Sequence, residues 1–198
     1  MAAGAPSPRV VFCGVGALGS TAAVLCRNLD ATLVFLDFDR VESKNLLAQA
    51  YVKQSVGKNK AEALKLQLLN FHGVKAEAFG VRVAADNVAQ LTKDAVLIVD
   101  CFDHAVSRRV LSEHARKVGA PLLHAAVSGD GTFGLVRWDE RFVPDAEDVA
   151  GQATCEGGDH LPLIGLLGAA IARTIQDFLK SGSRRDSMVG LAAVTPTA

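Results

Sequence analysis

The 198-residue sequence has no surplus of charge: 21 Lys and Arg stand against 21 Asp and Glu. Bulk attraction to nucleic acid or to an anionic membrane surface therefore has no compositional basis. Cysteines number four and form no C-x-x-C, so the usual spacing of a structural zinc site is missing. Long uninterrupted apolar runs are missing as well. Residues 10–26 are mostly apolar, but they lack a basic start and are broken by glycines, which argues against a secretory signal. Leu161 to Ala172 is apolar and too short to span a bilayer. No internal repeat or low-complexity block is present. These absences predict a cytoplasmic protein. The length suits one domain with a sizeable core, and 49% hydrophobic content with 18 glycines suits an α/β profile.

What is present begins with Arg9 to Ser20, RVVFCGVGALGS. Val10 to Cys13 reads as a short buried strand. Gly14, Gly16 and Gly19 form a G-x-G-x-x-G, and the residues from Ser20 onward suit a helix. In that context the first glycine makes the turn, the second lets phosphate approach backbone N–H groups, and the third lets helix pack on strand. The helix N-terminus then favours negative charge. Gly16, Ala17, Leu18 and Gly19 are the predicted cradle.

Thr32 to Leu36 reads as a second strand that ends in Asp37-Phe38-Asp39. An acid placed there commonly bonds a ribose hydroxyl pair. Glu42 to Gly57 reads as a structured loop and Lys58 to Asn70 as an amphipathic helix stopped by Gly73. Val74 to Val83 reads as a third strand and Asp86 to Leu91 as a short helix. Ala95 to Asp100, AVLIVD, is a continuous buried strand of the parallel kind. It leads through Asp103 into a helix over 104–118. Pro121 to Val127 and Thr132 to Trp138 flank the turn Ser128 to Gly131. Asp139 to His160 has no period and holds Cys155; Leu161 to Lys180 reads as a long helix. Cys13, Cys26 and Cys101 read as small buried hydrophobes.

The alternation predicts an α/β, Rossmann-like fold: a mainly parallel open sheet with helices on both faces. Residues 1–180 are expected to form one nucleotide-binding domain, with 181–198 a C-terminal tail. Ligand is expected at the carboxyl ends of the strands, where the glycine turn, Asp37, Asp39 and Asp103 all fall.

Three further elements follow the glycine turn at a particular order and spacing. They are Asp37 to Gln49 (DFDRVESKNLLAQ), Ser55 to Ala61 (SVGKNKA) and Asp100 to His104 (DCFDH). The chain resembles the ThiF/MoeB/HesA family, relatives of the ubiquitin-activating enzymes. The family pattern is a glycine turn, then D-x-D-x-V-x-x-S-N-L-x-R-Q, V-G-x-x-K and D-x-x-D-N. The resemblance runs from Arg9 to about Lys180 and includes Thr154-Cys155. It implies an adenylyltransferase that uses ATP and Mg²⁺. The implied substrate is the C-terminal glycine carboxylate of a ubiquitin-like or sulfur-carrier protein. By resemblance Asp37 takes the ribose hydroxyls with Asp39 nearby, Asn45, Gln49 and Lys60 meet the nucleotide, and Asp103 holds Mg²⁺. Cys155 is the implied acyl acceptor, and a homodimer or heterodimer is the implied assembly.

Ala48 stands where the family pattern has arginine. Lys44, Lys53 or Lys58 could supply the charge, a partner subunit could, or the site has lost adenylation. Two other readings remain open at this level. One is a non-catalytic family member that serves as a dimer partner or a scaffold for a ubiquitin-like protein. The other is an NAD-dependent oxidoreductase, which would explain the glycine turn and Asp37 but not Asn45, Lys60 and Asp103.

Overall fold

The computed structural model describes residues 7–143 and 158–193. Seven strands form one sheet in the order β3-β2-β1-β4-β5-β6-β7. They are β1 (Arg9–Cys13), β2 (Thr32–Leu36), β3 (Glu77–Phe79), β4 (Ala95–Asp100), β5 (Leu122–Val127), β6 (Phe133–Trp138) and β7 (Ser187–Gly190). Strands β3, β2, β1, β4 and β5 run parallel, while β6 and β7 are antiparallel additions. The first six follow the doubly wound order, which reverses direction between β1 and β4. A crevice opens there, at the carboxyl ends of the strands.

Alternation along the strands divides the core in two. Val10 and Phe12 of β1 face α1 (Ala17–Leu25), α2 (Lys60–His72) and α5 (Leu161–Ser181). Val11 and Cys13 face α3 (Val88–Leu91) and α4 (Ala105–Val118). The inner strands β1, β2, β4 and β5 are mostly apolar on both faces, as a buried parallel sheet requires, with Asp100 and His124 the buried polar exceptions.

The glycine turn is fixed by contact. Gly14 has φ +85°, and a Cβ on Gly19 would lie 2.1 Å from the Gly14 carbonyl oxygen. The third glycine thus lets α1 rest directly on the end of β1. Gly168 of α5 serves the same purpose, since a Cβ there would reach Thr21 of α1 at 2.5 Å.

Several boundaries differ from the sequence reading. The predicted strand over 74–83 contracts to Glu77–Phe79, and the predicted helix over 86–91 to Val88–Leu91. Helix α2 begins at Lys60 because the Asn59 side chain accepts the Glu62 N–H at 3.1 Å, a side-chain cap. Helix α5 runs 21 residues, long and apolar enough to cross a membrane by length and composition. One side of it, from Leu163 to Ile175, is nevertheless buried in the core. The tail expected from residue 181 is instead partly structured. Asp186 accepts the Trp138 N–H at 3.0 Å, and the next four residues pair with β6 as β7.

Gly19→Ala is expected to lower stability by about 1–3 kcal/mol through overpacking against the Gly14 carbonyl. Urea denaturation should show a lower midpoint at unchanged slope.

Candidate active site

The two turns that bound the crevice touch each other. The Gly14 N–H donates to Leu36 O and the Cys101 N–H to Cys13 O, both at 2.8 Å. A Cβ on Gly14 would press on the Cys101 backbone at 3.0 Å. Gly16 is the N-cap of α1. It offers no side-chain acceptor, and the first turn of α1 holds no acid. The opening N–H groups of α1 therefore have no side-chain cap. The space where a Gly16 Cβ would stand is open.

Asp37, 6% exposed, closes the β2 side. Its carboxylate accepts N–H bonds from Val15 at 2.8 Å and from Asp39 at 2.9 Å. Burial pushes its pKa up, and those two N–H groups and Lys60 offset only part of the rise. Asp37 is thus a rigid acceptor at the end of β2. Lys60 is buried at the start of α2, with its Nζ 3.1 Å from Asp39 Oδ2. The Tyr51 hydroxyl donates to Val15 O at 2.6 Å and ties the loop to the glycine turn.

Asn45 lies in a 3-10 turn, Ser43–Leu47, where its Oδ1 accepts the Glu42 N–H at 2.8 Å. Asn45 thus closes this turn and also borders the crevice. The Gln49 Oε1 is buried with no hydrogen-bond partner among the described residues. Asp103 stands at the mouth with its side chain 91% exposed and His104 Nε2 3.5 Å away.

The crevice has a volume of about 680 Å³. Gly14, Gly16, Ala17, Leu18, Asp37, Asp39, Asn45, Gln49, Lys60 and Asp103 all line it. Gly19 does not: it lies beneath the turn, packed against Gly14. Cys155 lies outside the described residues. Cys101 also lines the crevice, but burial pushes its thiol pKa up, which makes it a poor nucleophile.

Ala48 is buried in the core and does not line the crevice. Neither do Lys44, Lys53 or Lys58. The cations that do, besides Lys60, are Arg108, Arg137 and Arg141. Arg137 and Arg141 come from β6 and the turn after it, far in sequence from the motifs. Only the β5–β6 hairpin brings them in.

Beneath the crevice lies a charged cluster that spacing does not reveal. His124 on β5 is fully buried. Its Nδ1 is 2.7 Å from Asp100 Oδ2 and its Nε2 is 3.0 Å from Asp139 Oδ1. Arg116 of α4 reaches Asp139 at 2.6 Å, and Arg108 Nη1 stands 3.6 Å from Asp100. The other Arg108 nitrogen donates to the Phe102 carbonyl and, at 2.9 Å, to Ala125 O. Burial pushes the Asp139 carboxyl up, but hydrogen bonds from Arg116, His124 and Ser112 outweigh it and hold it below its ordinary value. A histidine in the middle of a predicted strand was the available signal.

The order of the sheet, the uncapped helix facing its switch point and the acid at the end of β2 define a Rossmann-like α/β protein with its cleft at the strand ends. A model of the ThiF family matches residues 6–153. The chain belongs to the ThiF family. It is 28% identical over 177 residues to the adenylyltransferase and sulfurtransferase UBA4 of Lodderomyces elongisporus, covering 84% of this chain and 39% of that protein. It is 34% identical over 132 residues to the sulfur carrier protein ThiS adenylyltransferase of Bacillus subtilis, covering 64% and 39%. The chain thus spans about two fifths of the length of these relatives. Among solved structures, E. coli MccB with ATP superposes with a TM-score of 0.71 at 16% identity, covering 94% of this chain and 64% of that one. The E. coli tRNA N6-threonylcarbamoyladenosine dehydratase TcdA gives 0.69 at 16%, covering 90% and 88%. At these identities the likeness to the solved structures is one of fold.

Asp139 contributes stability above the unfolded carboxylate range and loses it as pH falls through its lower folded value. Asp139→Asn is expected to cost about 2 kcal/mol at neutral pH. It should also flatten the loss that the unaltered protein shows below about pH 4. Urea denaturation across pH measures both.

Proposed function

We propose that this chain transfers an adenylyl group from ATP to the C-terminal glycine carboxylate of a ubiquitin-like or sulfur-carrier protein. The observation that carries the reading is the meeting of Asp37, Asn45, Lys60 and Asp103 in one crevice, opposite the uncapped N-terminus of α1. The relatives support it: the two curated proteins above are named adenylyltransferases, one of them for the sulfur carrier ThiS. Neither bears an oxidoreductase name.

In this reading Asp37 receives the ribose hydroxyls. It is already held rigid by two N–H groups, so orienting it costs little on binding. The first turn of α1 and Lys60 face the phosphates. A carboxylate oxygen of the carrier attacks the α-phosphorus; the bond to the bridging oxygen breaks, and pyrophosphate leaves with those electrons. Lys60 offsets charge that develops on the phosphate oxygens, which needs a cation fixed beforehand. Lys60 is so fixed, by burial and by Asp39.

The donor set also fits Mg²⁺. Among the described residues no three His, Cys, Asp or Glu converge to cage a metal. Mg²⁺ needs no such cage, since it binds through one or two carboxylates, water and substrate phosphates. Asp103 supplies an exposed carboxylate at the mouth. Bound there, the ion would neutralise charge on the phosphates. Of the crevice arginines, Arg108 is held by Asp100 and Arg141 by Asp186, which leaves Arg137 as the candidate for the charge of the arginine that Ala48 replaces.

We place the carrier's tail at the β5–β6 end of the crevice, along Ala126, Phe133 and Leu135. A further step would give Cys155 the acyl group as a thioester, with AMP leaving. Intact-mass analysis would detect that adduct in the unaltered protein and lose it in Cys155→Ala.

Calorimetric titration with Mg-ATP and, separately, with NAD tests the reading. Micromolar Mg-ATP binding, lost or strongly weakened in Asp103→Ala, is the expected result; binding of NAD alone would overturn it. With a carrier in hand, Lys60→Ala should slow ATP–pyrophosphate exchange by about 10²–10³-fold.

A further inference from the structure

The His124 cluster joins two walls that the sequence keeps apart. On one side, Asp100 Oδ1 accepts the Phe102 N–H at 3.0 Å, which shapes the turn that presents Asp103. On the other, Asp139 begins the short turn that carries Arg141 and Phe142 into the crevice. The His124 ring spans them, with one nitrogen on each acid. It also lies flat on Phe142, with centroids 4.0 Å apart and planes 12° apart.

A neutral imidazole offers one donor and one acceptor. Between two ionised carboxylates it would set one lone pair against another. Both acids already accept from other donors, Phe102 N–H and the Arg116 guanidinium. The arrangement is satisfied when the ring holds two protons and donates both ways. The stack on Phe142 suits a cation on an aromatic face.

We propose that His124 is a positioning residue, a buried imidazolium that clamps the Asp103 turn and the Phe142 wall at a fixed separation. It touches no reacting atom. It acts through Asp100 on one wall and through Asp139 and Phe142 on the other. The groups facing it are Asp100 from β4, Arg108, Ser112 and Arg116 from α4, Arg137 as its register partner on β6, and Asp139. Two acids and three arginines leave the ring as the group whose proton decides the contact. A ring with a single proton has one donor fewer, and one wall is released. The catalytic part of this inference rests on the adenylation reading; the protonation of the ring does not.

Nitrogen-15 NMR of the histidine side chains tests the ring directly. The chain has five histidines. His124 is assigned by its loss in His124→Gln or, if that variant does not fold, by the shift of its Nε2–H in Asp139→Asn. Two ring N–H groups at pH 7 are expected; a neutral tautomer at pH 7 overturns the proposal. Mg-ATP calorimetry over the same pH series tests the clamp. Affinity is expected to fall about tenfold as the ring loses its proton. Asp139→Asn should weaken binding at neutral pH and abolish that step. Affinity that stays constant while the ring titrates overturns the positioning role. Failure of the unaltered protein to bind Mg-ATP at any pH sinks the adenylation reading and the catalytic part with it, while the NMR result still decides the imidazolium.

Discussion

At the head of the sheet, the Gly14 carbonyl oxygen lies so close under Gly19 that one methyl group would reach it at 2.1 Å. The rest of the site depends on that approach. It sets α1 on the end of β1 and aims the first turn of the helix into the crevice. It holds Gly14 against Cys101, so the turn after β4 is built on the turn after β1. Asp100, Asp103 and Arg108 inherit their places from that second turn. A side chain at either glycine would press the turn after β1 away from its neighbours, Gly14 against Cys101 and Gly19 against Gly14.

Charge is handled in matched sets. Asp37 has two N–H donors and a nearby lysine; Asp39 has Lys60; Asp100 and Asp139 share His124 and each face an arginine. Removing one partner from such a set leaves a buried charge without an answer, which costs more than the intact pair contributes. These sets hold six of the twelve buried polar and charged side chains among the described residues.

Much of this could be read from sequence where the signal is local. The glycine turn, the acid at the end of β2 and the apolar run AVLIVD carry their structural meaning within a few residues. What escaped is non-local. His124 meets Asp100 across 24 positions and Asp139 across 15, and only adjacency of β4, β5 and β6 brings them together. Arg137 and Arg141 reach the crevice by the same hairpin. Strand β7 has no strong pattern of its own; Ser187–Gly190 becomes a strand because β6 offers an unpaired edge. Ala48 as a departure from the family pattern was legible, but the cations of the crevice were not: the lysines near it in sequence lie outside the crevice, and the arginines that line it lie about 60–90 positions away.

The chain contains a single tryptophan. Trp138 is fully buried, 5.1 Å from the Phe178 ring, and its peptide bond leads straight to Asp139. One indole therefore sits between the last core helix and the clamp on His124. Its emission comes from a single buried site, faced by the Phe178 ring and the Arg184 guanidinium. The molecule thus holds its own optical probe at the joint between fold and crevice, and needs no attached dye to report on that joint.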